Sequence, residues 1–174
     1  MGGRHVVIVI APERFRDEEL DAPRRALEAA GHRVTIASTR TGEATGMLGA
    51  RVRVGTMIGA VRAEECDALV LAGGAGAPAH LWDCEPLRAL VTAVHAAGKP
   101  VGAICLSPPV LARAGILAGK RATCYPTERA VLELKRGGAT PVKEAVVRDG
   151  TIVTASGPEA AADFGDTLVQ LLAP

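Results

Sequence analysis

The chain has 174 residues, is 48% hydrophobic and 22% charged, and carries a formal net charge of +1. That profile fits one soluble, core-forming domain spanning residues 1–174. The lack of any basic block argues against nucleic acid or an anionic membrane surface as a main partner, and no apolar run approaches the roughly 18 residues a membrane helix needs.

In chain order, Val6–Ile10 is a short apolar run that reads as a first strand, not as a signal peptide. A polar loop follows, and then helical spacing from about Asp17 to Ala30, closed by Gly31. Pro23 removes one amide inside this helix and predicts a bend there. Arg33–Ala37 resumes as a strand. The Gly- and Thr-rich stretch from Thr39 to Gly59 holds one alternating piece, Arg51–Val54, expected as an exposed edge ribbon. Asp67–Leu71 reads as a buried strand ending in Gly73-Gly74-Ala75-Gly76. Leu87–Ala97 has helical spacing up to Gly98. Val101–Ile104 is a strand that runs at once into a helix from about Ser107 to Ala114. A helix follows Pro126 to about Arg136. Ala145–Arg148 and Thr151–Thr154 form a hairpin around Asp149-Gly150, and Pro158–Leu172 is the closing helix.

Apolar strands interleaved with helices predict an α/β fold, with a mostly parallel sheet, helices on both faces and a small β-hairpin. Such sheets bind ligands at the carboxyl ends of their strands, the edge where Gly73-Gly74 and Cys105 both emerge.

The four cysteines (66, 84, 105 and 124) show neither C-x-x-C spacing nor nearby histidines, so no metal site is expected. Free thiols in a reducing cytoplasm are the expected state. Neither phosphate-loop pattern, G-x-x-x-x-G-K-[S/T] or G-x-G-x-x-G, is present, and no cofactor is expected. Asparagine is absent and glutamine occurs once, which fits either a hot habitat or a GC-rich genome.

Cys105 stands out because a strand that turns straight into a helix lifts its junction residue to the sheet edge, at the positive end of a helix dipole. It is either a buried structural thiol or an exposed, low-pKa nucleophile. Glu19 projects onto Ala22, Pro23, Ala26, Leu27 and Ala30, an apolar stripe on which an unpaired charge is costly. It either caps the first turn or serves as a functional acid with a raised pKa, protonated and donating to a thiolate. Gly73 and Gly74 form a tight turn or free backbone amides for a ligand. In the second case the amides of Gly74 and Leu106 would hold an oxyanion. Of the histidines, His5, His32 and His95 are expected on the surface. His80 follows the glycine loop and is the only candidate base near the cysteine, while Tyr125 could border the same pocket.

These residues resemble the DJ-1/PfpI superfamily along nearly the whole chain. The matching pieces are Phe15-Arg-Asp-Glu-Glu19-Leu with Pro23 and Gly31, Asp67-Ala-Leu-Val-Leu-Ala-Gly-Gly74, and Ala103-Ile-Cys105-Leu-Ser-Pro-Pro. Further along come Ala114-Gly-Ile-Leu-Ala-Gly-Lys-Arg-Ala-Thr-Cys-Tyr-Pro126 and Val147-Arg-Asp-Gly150 with Thr154-Ala-Ser-Gly157. The resemblance implies a flavodoxin-like three-layer sandwich in a homodimer or larger homo-oligomer, with Cys105 at a nucleophile elbow and Glu19 as its buried partner. Gly74 and Leu106 would supply the oxyanion amides. PfpI-type proteases carry histidine where this chain has Leu106, and an acid where it has Ala79. DJ-1-type proteins carry histidine where it has Tyr125. The chain thus keeps only the cysteine and glutamate common to both.

Three readings follow. The first is a cysteine-dependent stress enzyme resembling glyoxalase III or deglycase, acting on reactive carbonyls such as methylglyoxal. The second is a non-enzymatic redox-sensing or chaperone-like protein whose thiol meets an oxidant. The third is a PfpI-type intracellular peptidase, disfavoured by the missing proton shuttle.

Overall fold

A computed structural model describes residues 2–174. The elements in chain order begin with β1 His5–Val9, β2 Glu13–Phe15, α1 Asp17–Ala29, β3 Arg33–Ser38, β4 Gly42–Gly46, β5 Arg51–Val54 and β6 Thr56–Met57. There follow β7 Ala68–Leu71, α2 Ala77–His80, α3 Glu85–Ala96, β8 Val101–Ile104 and α4 Pro108–Arg113. The chain then continues through β9 Arg121–Ala122, α5 Glu128–Arg136, β10 Thr140–Pro141, β11 Val146–Asp149, β12 Ile152–Ala155 and α6 Ala161–Leu172.

Seven strands form the main sheet in the order β11-β12-β8-β7-β1-β3-β6. All neighbours are parallel except β11, which pairs antiparallel with β12 and closes that edge. The pleat sends successive strand residues to opposite faces, and two cores result. Val6, Ile8, Val70 and Val153 pack with Leu20 and Leu27 of α1 and Phe164 and Leu168 of α6. Val7, Val9, Leu69, Leu71 and Ala103 pack with Leu87, Val91 and Val94 of α3, Leu111 of α4 and Leu134 of α5. This is a three-layer α/β sandwich. Burial of side chains this size is worth about 1.5–3 kcal/mol each relative to exposure, which explains why strands buried on both faces read as unbroken apolar runs.

α1 opens with Asp17, Glu18 and Glu19 in its first turn, the sign that suits a helix amino terminus. It continues through Pro23 to Ala29 and ends at Gly31, whose φ of 86° favours glycine. α6 lies close against it: a Cβ on Gly165 would stand 3.0 Å from Pro23 Cα. α5 is capped by Thr127, whose Oγ1 accepts from the Ala130 amide at 3.1 Å.

Two details differ from the sequence reading and one agrees with it. The segment between β1 and α1 is not all loop: Glu13–Phe15 pairs with β4 in a separate sheet ordered β2-β4-β5. Arg51–Val54 pairs antiparallel with β4 at the edge of that sheet, as the exposed edge ribbon expected from its alternation. The closing helix begins as a 3-10 turn at Pro158–Ala160.

Candidate functional site

The site begins with backbone geometry. β7 and β8 run side by side, with Leu71 opposite Ala103, so the segments beyond their carboxyl ends emerge together. β12 lies on the other side of β8, with Ala155 opposite Ile104. The Cys105 amide extends that ladder by one bond to Ala155 O at 2.9 Å. There the chain turns, and Cys105 takes a left-handed φ of 64°. For a residue with a side chain this costs roughly 1–2 kcal/mol, which persists only where the surroundings enforce it.

A short strap formed by β2 and its flanks enforces the opposite wall. Among the described residues, Arg14 is the other non-glycine residue with a positive φ, at 57°. Its carbonyl accepts from the Gly76 amide at 3.0 Å, and the Arg16 amide donates to Gly73 O at 2.9 Å. The strap lies so close that a Cβ on Gly74 would meet Arg16 N and stand 2.6 Å from Arg14 O. Gly74 also has a φ of 113°, so both space and conformation demand glycine there. On the inner side, a Cβ on Gly73 would stand 2.6 Å from Ile104 O and 2.7 Å from both Cys105 Cβ and Glu19 Oε2. The paired glycines admit the strap on one side and the cysteine on the other.

Glu19 lies on the inner face of the first turn of α1 and is fully buried. Its Oε2 accepts from the Gly73 amide at 3.2 Å. Its Oε1 has no hydrogen-bond partner among the described residues, and the neighbouring Cys105 side chain pulls its pKa down as a donor would. Glu19 does not cap α1, whose amino terminus has no side-chain cap. The Gly74 and Leu106 amides both act on the sulfur as backbone donors, lowering its pKa.

The electrostatics differ from the sequence reading in one respect. Cys105 is not exposed; only 5% of its surface is accessible. Burial, reinforced by the Glu19 charge, pushes its thiol up to about 12, against the pull of the Gly74 and Leu106 amides. Burial likewise raises Glu19 to about 7, opposed by its bonds to Cys105 and Gly73. At neutral pH the pair therefore hovers between no charge and one negative charge, and the thiol keeps its proton while the carboxyl gains or loses one. The expected low-pKa thiolate is replaced by a thiol beside a titrating carboxylate.

The other sequence candidates fall as follows. Tyr125 borders the elbow: its amide donates to Cys105 O at 2.8 Å, and its half-exposed ring lies over Gly157. His80 Nε2 pairs with Glu13 Oε1 at 3.2 Å. His5 is half-buried at the surface, held by Glu65 O at 2.6 Å and Thr35 Oγ1 at 2.8 Å. His32 and His95 are half-buried as well. Ala79 is exposed and offers no acid.

Sequence reasoning missed two residues of the site. Arg16 binds Glu18 at 2.7 and 3.2 Å, and its charge also reaches Glu19 and Cys105. Met47, in the β4–β5 turn, places Sδ 3.3 Å from the Ala75 amide, on the rim beside the glycine loop. Only the strap's path brings either one near, and it leaves no periodic signal. Among the described residues there is no cluster of His, Cys, Asp and Glu able to hold a metal, and no helix long and apolar enough to cross a membrane.

Comparison with known proteins gives matches in both sequence and fold. The sequence pattern of the DJ-1/PfpI family matches residues 4–171. An uncharacterized protein of Methanocaldococcus jannaschii, MJ0967, is 46% identical over 95% of this chain and 80% of its own length. Deglycase PH1704 of Pyrococcus horikoshii is 36% identical over 87% of this chain and 90% of its own. Among solved structures, a ThiJ/PfpI domain protein from Brachyspira murdochii superposes with a TM-score of 0.93 at 31% identity, covering 99% of this chain and 98% of that one.

Proposed function

The chain belongs to the DJ-1/PfpI family, and from that premise we propose that it is a cysteine-dependent enzyme acting on small reactive carbonyls, with methylglyoxal as the type substrate. The observation that carries this reading is the arrangement around one sulfur: the Cys105 thiol with the Glu19 carboxyl as proton partner and two backbone amides aimed at it. The resemblance to proteins named deglycases supports the same class.

Glu19 in its ionised form takes the thiol proton as Sγ attacks the carbonyl carbon. The new S–C bond forms while the carbonyl π pair moves onto oxygen. The Gly74 and Leu106 amides are the donors nearest the developing oxyanion. Glu19 then returns the proton to that oxygen, giving a neutral hemithioacetal. Glu19 therefore fills the role of general base that the sequence left unassigned. An aldehyde carbon needs less activation than an amide, so a single carboxylate suffices. Leu106 and Ala79 provide no second proton carrier for peptide hydrolysis.

The redox reading is less well supported, because a thiol raised to about 12 is scarcely ionised at neutral pH and the thiolate is the species that oxidants attack. A homo-oligomer belongs to the proposal as well, in keeping with the family. The test is methylglyoxal consumption by the wild type and by Cys105→Ala. Turnover lost in the variant supports the enzyme. No wild-type turnover, with a stable gain of two oxygens on Cys105 in mild peroxide, would replace it with the redox reading.

A further inference from the structure

The elbow holds its strained shape because nearly every polar backbone group in it is tied down. Cys105 N–H is bound by Ala155 O at 2.9 Å, and Cys105 O by the Tyr125 amide at 2.8 Å. Ser107 N–H returns to Ile104 O at 3.1 Å, and Ser107 O accepts from the Val110 amide at 2.9 Å. The Ser107 hydroxyl donates to Ala72 O at 2.6 Å, pinning the turn to the glycine loop. Two groups remain, both on Leu106. Its N–H is the one that faces Cys105 Sγ. Its carbonyl is held by a side chain from just beyond α2: Trp82 Nε1–H donates to Leu106 O at 2.6 Å.

Trp82 is one of the largest fully buried side chains in the fold, and it is held in an unusual way. The Arg113 guanidinium stands 5.2 Å from its ring centroid and that of Arg129 stands 4.7 Å from it. Arg113 is itself fixed by two bonds to Glu133, at 2.9 and 3.0 Å, and one to Asp83 at 2.6 Å. Cations near an indole draw on its π density, and the same polarisation makes the N–H a stronger donor. The result is a chain of fixed contacts from Glu133 through Arg113 and Trp82 to the Leu106 carbonyl, one residue from the sulfur.

We propose that Trp82 is a positioning residue for the Cys105 site: its indole N–H locks the Leu106 carbonyl and thereby aims the Leu106 amide at the sulfur. The amide and the carbonyl belong to one residue, so the backbone torsions of Leu106 link their directions. With the carbonyl released, the strained elbow can relax, and the amide loses its aim at a thiolate or an oxyanion. The proposal deepens the functional reading above, since it concerns the same sulfur, but its test needs no substrate.

The test is the pH dependence of iodoacetamide alkylation at Cys105, followed by mass spectrometry of its peptide, in the wild type and in Trp82→Phe. Phenylalanine keeps most of the packing and removes only the donor. The alkylation rate between pH 7 and 10 follows the thiolate fraction, so a lost amide contact should lower it about 3- to 10-fold, equivalent to roughly half to one pH unit. A folded Trp82→Phe whose rate–pH curve overlays the wild type overturns the proposal, even if its thermal midpoint falls. Should Trp82→Phe fail to fold, the wild type itself decides, because the chain has one tryptophan and so one indole N–H resonance. That resonance should shift as the Glu19–Cys105 pair gains charge between pH 6 and 8, and should stop doing so in Glu19→Gln. A resonance indifferent to pH overturns the proposal. If the alkylation shift appears while methylglyoxal is not consumed, the carbonyl reading fails and the role of Trp82 stands.

Discussion

Cys105 and Cys124 are near one another, since the amide of Tyr125, next to Cys124, donates to Cys105 O at 2.8 Å, and burial alone does not tell them apart. Both are nearly inaccessible, and burial raises both thiols, Cys124 to about 11 and Cys105 to about 12. Cys124 lines a groove of about 660 Å³ shared with Thr123, Pro126, Val131 and Pro141. Burial is the sole cause of its shift. Cys105 has a carboxyl partner, two amides aimed at its sulfur and a strained backbone. Chemistry follows from the partners of a thiol, not from its depth or from the size of the nearest cavity.

The sharpest way to break this contrast is to remove each thiol in turn. Cys105→Ala should lower methylglyoxal turnover by about 10³-fold or more, the scale of losing a covalent nucleophile. Cys124→Ala should stay within about twofold. A Cys124 variant as dead as the Cys105 variant would mean that the groove, and not the elbow, holds the chemistry.

Glu19 is the next difference. Glu19→Gln should cut turnover by about 10²-fold, the usual scale of general-base loss, yet stabilise the fold at pH 8. The carboxyl sits near 4.5 unperturbed and near 7 when folded. A raised folded value means its favourable contribution is complete below pH 4.5 and is lost as pH rises through 7. Above that the buried charge is a net cost of about 1–3 kcal/mol, allowing for its coupling to Cys105. Denaturant melts at pH 8 and pH 4.5 should show the variant's advantage at the first pH and its disappearance at the second. Because the ionised carboxylate accepts the thiol proton, wild-type kcat/KM should climb between pH 6 and 8 with an inflection near 7. A bell centred well below 7 would instead favour the protonated acid.

Gly73→Ala tests whether the space beside Cys105 matters. The new methyl group would press on Ile104 O, Cys105 Cβ and Glu19 Oε2, at about 1–3 kcal/mol of overpacking, and turnover should fall about tenfold. Gly55→Ala has nothing within 4 Å and should shift stability by less than about 0.5 kcal/mol.

Much of this architecture could be read from the sequence because its cause is local. The unbroken apolar runs at Ala68–Leu71 and Val101–Ile104 can only be strands buried on both faces, and the abrupt switch at Cys105 marks the turn. Glu19 betrayed itself by sharing a stripe with Ala22, Ala26 and Leu27. The remaining features depend on pairings across long separations. The strap at Glu13–Arg16 has polar residues and no period, so its approach to Gly74 and the reach of the Arg16 charge to Glu19 and Cys105 were invisible. The raised thiol was missed for the same reason. Position at a helix amino terminus argued for a lower value, but α4 is only six residues long, and desolvation outweighs it.

His80 gives the smallest expected effect and closes the question of the base. Its ring is paired with the exposed Glu13 carboxylate at 3.2 Å, and it is not among the groups that act on the Cys105 thiol. The carboxylate that contacts the thiol is already in place at Glu19. His80→Gln should therefore leave kcat/KM within about twofold and its inflection near pH 7 unmoved. An exposed pair of this kind contributes only about 0–1 kcal/mol, so the melting midpoint should shift little. A tenfold loss of rate with the inflection displaced would give the base role to His80 and reduce Glu19 to a hydrogen-bond partner. An unchanged profile leaves one carboxylate and one thiol sharing the proton, which is the minimum the attack on an aldehyde requires.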